Sequence, residues 1–181
     1  MSLSKYSRVM RYVFQMLLML LPIGIVYFWL TYQTPYAYLS NFGIVQINTP
    51  ITILTKLPLS FLTRIAAIIV SLIFSFILMR ALSLLIQLFG HYARNEIFTA
   101  CNVQIYRQLG HCVFYWVFGG IVYEALMTIV ISMNNPPGER MLFVSFTGVD
   151  ALALLVGVII LGISRVMREG QHLADENEYI I

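Results

Sequence analysis

Between Arg11 and Lys56 the chain carries no Asp, Glu, Lys or Arg. Soluble domains are about 25% charged, so a gap of that length restricts the fold before anything else is weighed. Its first part, Tyr12 to Leu30, is almost wholly apolar. At about 1.5 Å per residue it crosses a hydrocarbon core about 30 Å thick. The rest of the 181-residue chain agrees, being 60% hydrophobic and 10% charged. An ordinary soluble enzyme is excluded, and a single all-α domain, a four-helix transmembrane bundle, is expected.

The expected spans run over about 12–30, 59–79, 110–131 and 142–164. Pro22 falls inside the first, where a neighbouring helix or side chain can satisfy the carbonyl it frees. Lys5, Arg8 and Arg11 precede that span in the manner of a signal peptide. However, its exit, Thr31-Tyr32-Gln33-Thr34-Pro35, offers no small-residue cleavage site, so the first span is read as uncleaved. Basic residues set the orientation. With the N-terminus inside, Lys5, Arg8, Arg11, Arg80, Arg94, Arg107, Arg165 and Arg168 are cytoplasmic, against Lys56, Arg64 and Arg140 outside. Both termini are therefore expected in the cytoplasm, with the chain in the bacterial inner membrane. Trp29, Tyr32, Tyr36 and Tyr38 at the outer end of the first span read as an aromatic belt.

The outer loop near 31–58 is too apolar to float in water and is expected on the membrane surface or over the bundle's outer end. Thr49-Pro50 has the form of an N-cap with proline at the first helical position. The second outer loop, near 133–141, contains Asn134-Asn135-Pro136-Pro137-Gly138 and reads as a turn. Beyond the second span Leu82, Leu85, Phe89 and Tyr92 recur at helical steps. Arg80, Ser83, Gln87, His91 and Arg94 form an opposing polar stripe, which makes an amphipathic cytoplasmic connector. Gly90 and Asn95-Glu96-Ile97-Phe98 close it, and Thr99 is the expected N-cap of a helix running through Asn102 and Arg107 into the third span.

Three charges fall inside spans: Arg64, Glu124 and Asp150. Counted along their helices they lie roughly 8, 10 and 12 Å from the outer ends. An isolated charge near a span centre costs about 2.5–3.5 kcal/mol, so an intramembrane charge cluster of the three is expected. Cys101 and Cys112 are separated by eleven residues of one expected helix, about 16 Å, and cannot bridge within it. His91, His111 and His172 have no metal-ligand spacing. No metal and no cofactor is expected. Neither a Ser-His-Asp arrangement, H-E-x-x-H, a phosphate-cradling glycine loop nor C-x-x-C is present, so no catalytic residues are assigned and the chain is not expected to be an enzyme.

The stretch Tyr92-Ala93-Arg94-Asn95-Glu96-Ile97-Phe98-Thr99-Ala100-Cys101-Asn102-Val103, followed by Leu109-Gly110, resembles the G-E-I-F-T-x-x-N-V … L-G connector of a bacterial family, the domain of unknown function numbered 2975. Arg168-Glu169-Gly170-Gln171-His172-Leu173-Ala174-Asp175-Glu176-Asn177-Glu178, with Ile180-Ile181, is similar to its R-E-G-x-x-L-x-x-E-N-E tail. Asn95 stands where that family commonly has glycine. The resemblance covers nearly the whole chain and implies a four-span inner-membrane protein. Many similar members are encoded beside a short helix-turn-helix regulator, which implies a regulatory role.

From residues and resemblance together, the expected working surface is cytoplasmic. It comprises Arg94, Asn95, Glu96, Phe98 and Asn102 from the connector, with Arg168, Glu169, Glu176 and Asn177 from the tail. Arg94 or Arg107 is expected to pair with Glu169 or Glu176. The expected partners are the lipid bilayer, a cytoplasmic helix-turn-helix regulator and further copies of the chain, with no direct nucleic-acid binding. The alternative is a small oligomeric transporter or channel using Arg64, Glu124 and Asp150.

Overall fold

The structure, a computed structural model, describes residues 3–36, 51–55, 57–97, 99–136 and 138–178. The elements are α1 (Leu3–Thr31), the short α2 (Ile51–Leu54), α3 (Phe61–Ala93), α4 (Ala100–Ser132) and α5 (Gly148–Glu178). Among the described residues there is no strand. Among those residues four helices are long and apolar enough to cross a membrane. The chain is thus an all-α, multi-pass membrane protein. The expected continuations of the second span into its connector, and of the connector into the third span, are both single unbroken helices.

The residues form two compact units. The first comprises Met1–Leu18, Ile77–Val117 and Gly148–Ile181; the second, Met19–Phe76 and Phe118–Thr147.

In the first unit, Leu84 and Leu88 of α3 pack with Ile105, Leu109 and Cys112 of α4, and Ile160 of α5 closes on that cluster. Cys112 is therefore a small core residue, while Cys101 is exposed. Phe14 of α1 meets Phe89 of α3 with ring centroids 5.5 Å apart. Helices α4 and α5 approach closely because glycines face the contact. A methyl group at Gly110 would come within 2.5 Å of Leu161 Cδ2 and 3.4 Å of the Gly157 carbonyl. Small residues let membrane helices gain dispersion contacts where no hydrophobic driving force separates them from lipid. Ser164 Oγ donates to the Val103 carbonyl at 3.0 Å across the same contact.

The second unit is organised around Trp29. Its indole Nε1 donates to Ser71 Oγ at 2.9 Å, and Ser71 Oγ lies 3.0 Å from Tyr123 OH, so α1, α3 and α4 share one buried polar chain. Tyr123 also stacks on Phe74 at 4.6 Å. Trp29 is wholly buried, which corrects its expected place in a lipid-facing belt. Its N–H needs a partner when buried, and Ser71 supplies one. Of the other belt residues, Tyr36 is exposed, Tyr32 is half-buried and Tyr38 lies outside the described residues. So does Thr49-Pro50, although the helical turn α2 follows directly after it.

The chain turns at Met133–Asn135, and these asparagines also fasten a second turn. Asn134 accepts from the Ser60 N–H and donates to the Pro58 carbonyl, while Asn135 Nδ2 donates to the Leu54 carbonyl at 2.7 Å. Gln33 Oε1, from the turn after α1, accepts from the Leu59 N–H at 3.1 Å.

Candidate functional site

The junction between α3 and α4 is built around one side chain. Helix α3 ends in a Schellman motif: the Glu96 N–H donates to the His91 carbonyl at 3.1 Å and the Asn95 N–H to the Tyr92 carbonyl at 3.1 Å. Asn95 occupies the position that must turn left-handed, with φ at 63°. Glycine enters that region most cheaply and asparagine next, which accounts physically for asparagine at this point of the motif. Thr99 caps α4 as expected, its Oγ1 accepting from the Asn102 N–H at 3.4 Å. Asn102, wholly buried, then ties the junction together. Its Nδ2 donates to the carbonyls of Glu96 and Ile97 at 2.7 and 2.8 Å, and its Oδ1 lies 2.8 Å from His91 Nδ1.

This arrangement sorts the residues expected at a partner surface. Arg94, Asn95 and Glu96 are exposed, whereas Asn102 is interior and shapes the surface from below. Arg94 pairs with Glu96 at 3.3 Å. Arg107 lines a cleft together with Arg168, and the expected pairing with Glu176 falls outside the described residues. Arg168 and Glu169 are exposed on α5. Phe98 and the side chains of Glu176 and Asn177 lie outside the described residues.

That cleft, about 590 Å³, runs between Gln104, Arg107, Gln108 and His111 of α4 and Arg168 and Gln171 of α5, all within the first unit. Arg80 Nη2 donates to Gln108 Oε1 at 3.1 Å. Sequence reasoning passed over the cleft's polar side on α4. The signal was there: residues 104, 107, 108 and 111 recur at three- and four-residue steps in an otherwise apolar helix.

In the second unit two of the three intramembrane charges, Arg64 and Glu124, acquire specific surroundings, while Asp150 belongs to the first. Arg64 Nη1 donates to the carbonyls of Trp29 and Leu30 at 3.2 and 2.7 Å, and its Nε to the Leu59 carbonyl at 3.3 Å. The last carbonyls of a helix have no partner within it and carry the negative end of its dipole, so a guanidinium there satisfies both needs. Glu124 is buried and accepts from both the Ser145 hydroxyl, at 2.6 Å, and the Ser145 N–H, at 3.1 Å.

Glu124 is one rung of a ladder. Thr128 Oγ1 accepts from the Phe143 N–H at 3.2 Å, and the Ser132 hydroxyl lies 3.1 Å from the Met141 carbonyl. Four residues of helix advance about 6.0 Å and two of extended chain about 6.6 Å, so positions 124, 128 and 132 keep step with 145, 143 and 141. The fourth helix consequently begins at Gly148 and not near Leu142, because residues 142–147 are held extended. Asp150, expected about eight residues into its span, sits instead in the first turn of α5, buried, where a carboxylate meets the positive end of a helix. Among the described residues no group of three or more His, Cys, Asp or Glu side chains gathers to hold a metal ion.

The model of a family described as "Protein of unknown function (DUF2975)" matches residues 55–181. The chain belongs to that family. The matched region contains α3, the junction braced by Asn102, the ladder and the cleft, whereas α1 precedes it. No curated protein and no solved structure matches.

Proposed function

We propose that this family member is a non-enzymatic, partner-binding regulatory protein of the bacterial inner membrane, with both termini in the cytoplasm. Its partner is a small cytoplasmic helix-turn-helix regulator, and its working surface is the α3–α4 junction with the C-terminal tail. The observation that carries this reading is the brace under the junction. A connection between two long helices needs only to turn, yet here three side-chain contacts of a buried asparagine hold it in one shape. Arg94, Asn95 and Glu96 are thereby presented outward with little conformational freedom left to lose on binding.

The Arg94–Glu96 pair is exposed and contributes only about 0–1 kcal/mol to stability, so its value lies in what it offers a partner. The transporter alternative has less support, since Arg64 serves the carbonyls that end α1 and Glu124 serves the extended segment. The test is direct binding. The chain, reconstituted in nanodiscs, is titrated with a purified small helix-turn-helix regulator of the kind encoded beside many similar members of the family. Binding should weaken in the Arg94→Ala/Glu96→Ala variant and disappear when residues 171–181 are removed. Absence of binding to the wild-type chain refutes the proposal.

A further inference from the structure

The cleft between α4 and α5 has a chemistry the partner reading does not use. Gln104, Arg107, Gln108, His111, Arg168 and Gln171 line it, and among the described residues no acidic side chain does. Two guanidiniums bring ten N–H donors and two fixed positive charges to one concavity. The Arg80 contact adds direction. Because Arg80 Nη2 occupies Gln108 Oε1, the Gln108 amide is turned to offer its donors rather than its acceptor elsewhere. Ala100, from the first turn of α4, lies in the same lining, so the positive end of a long helix reaches the cleft as well. A site whose polar lining is rich in donors and positive charge is complementary to a tetrahedral oxyanion, and arginine is the side chain that grips phosphate through two parallel bonds.

Depth selects the source of that phosphate. The apolar run of α4 begins near Gly110 and that of α5 ends near Ser164. Residues 104–108 therefore lie roughly 3–9 Å, and Arg168 roughly 6 Å, beyond the apolar boundary. The headgroup layer occupies about 5–8 Å on each side of the hydrocarbon core, so the cleft sits at the level of lipid phosphates. One turn further into the apolar run Tyr115 is 63% exposed, with its ring centroid 6.5 Å from that of His111. Roughly 7.5 Å inside that boundary, a tyrosine can bury its ring in the apolar run and direct its hydroxyl back toward the interface.

We infer that the α4–α5 cleft is a binding site for a phosphate group, supplied by an anionic glycerophospholipid, with Arg107 and Arg168 as its principal ligands. This site is independent of the partner reading, because it is tested on the purified protein alone.

The protein, delipidated in a neutral detergent, is titrated in mixed micelles with phosphatidylglycerol, with phosphatidylcholine, and separately with inorganic phosphate. Thermal unfolding is followed by tryptophan fluorescence, and retained lipid is counted by native mass spectrometry. Phosphatidylglycerol should stabilise and remain bound, and phosphatidylcholine should do neither. Each basic residue near an anionic surface is worth roughly fivefold in affinity, so Arg107→Gln with Arg168→Gln should weaken phosphatidylglycerol binding about 30-fold. Both side chains are exposed, so the double variant should melt as the wild type does in detergent alone. Arg165→Gln, an exposed cation of α5 outside the cleft lining, should keep the full response. An equal, arginine-dependent response to inorganic phosphate would keep the phosphate site but overturn the lipid as its source. Equal phosphatidylglycerol binding by wild type and double variant, or loss of binding in Arg165→Gln alone, overturns the site.

Discussion

Replacing Asn102 by alanine isolates the brace under the α3–α4 junction. The substitution removes three contacts at 2.7, 2.8 and 2.8 Å, from a side chain with no exposed surface. A buried hydrogen bond contributes about 1 kcal/mol net, and a stranded partner costs about 1–3 kcal/mol if no water reaches it. Water entering the vacated space would hold the loss near the lower figure for each contact, which gives about 3 kcal/mol in all. At about 1.4 kcal/mol per factor of ten, the junction should open about 100-fold more often. Amide hydrogen exchange at Asn95 and Glu96, whose N–H groups close the end of α3, should accelerate by that factor, while exchange in the Trp29 core of the second unit stays unchanged. Asn102→Asp separates shape from hydrogen bonding. It keeps the volume but turns an acceptor toward the Glu96 and Ile97 carbonyls, so it should be at least as damaging as alanine. Exchange within about threefold of wild type for Asn102→Ala, or a neutral Asn102→Asp, would show that the junction is held by packing and refute the reasoning.

Asn95→Gly should be neutral or slightly stabilising, and Asn95→Val should cost about 1–2 kcal/mol, because the left-handed conformation crowds a branched side chain; denaturant unfolding in mixed micelles measures both. Thr128→Val removes the middle rung of the ladder and should cost about 1 kcal/mol while exposing the Phe143 amide to exchange. Arg64→Ala should lower thermal stability in detergent and fray the end of α1, whereas unchanged stability would mean the carbonyls of Trp29 and Leu30 do not depend on the guanidinium. Reporter fusions at Asn135 and Ile181 should report outside and inside, respectively; phosphatase activity at Ile181 would reverse the orientation.

Much of the architecture is set by local chemistry and is visible in the sequence. An apolar run long enough to cross a bilayer becomes a spanning helix wherever its neighbours lie, because only a helix satisfies all of a segment's backbone groups within that segment. Thr99 caps α4 and Asn95 turns the end of α3 for the same reason: both act on N–H and carbonyl groups within a few residues of themselves. The start of α5 was legible as well, since Thr147 and Asp150 have the Ser/Thr-x-x-acid spacing of a capping box ahead of an apolar run. Hydropathy alone hid it by treating the apolar residues 142–146 as helix.

The remainder depends on which faces meet. Composition cannot tell that Trp29 turns inward, because the side chain suits an interface and a core equally well; the Ser71 hydroxyl decides it. Glu124 looks like an isolated intramembrane charge until residues 141–145 return along α4 and present a hydroxyl and an N–H to it. Arg107 and Arg168 are distant in sequence and come to line one cleft only because glycines at 110 and 157 let α4 and α5 close on each other. The sequence by itself determined the helices and their ends, since those follow from backbone satisfaction within a few residues. Only the tertiary structure decided the jobs of the buried polar side chains, since a hydrogen bond between distant segments exists only once packing has brought donor and acceptor together.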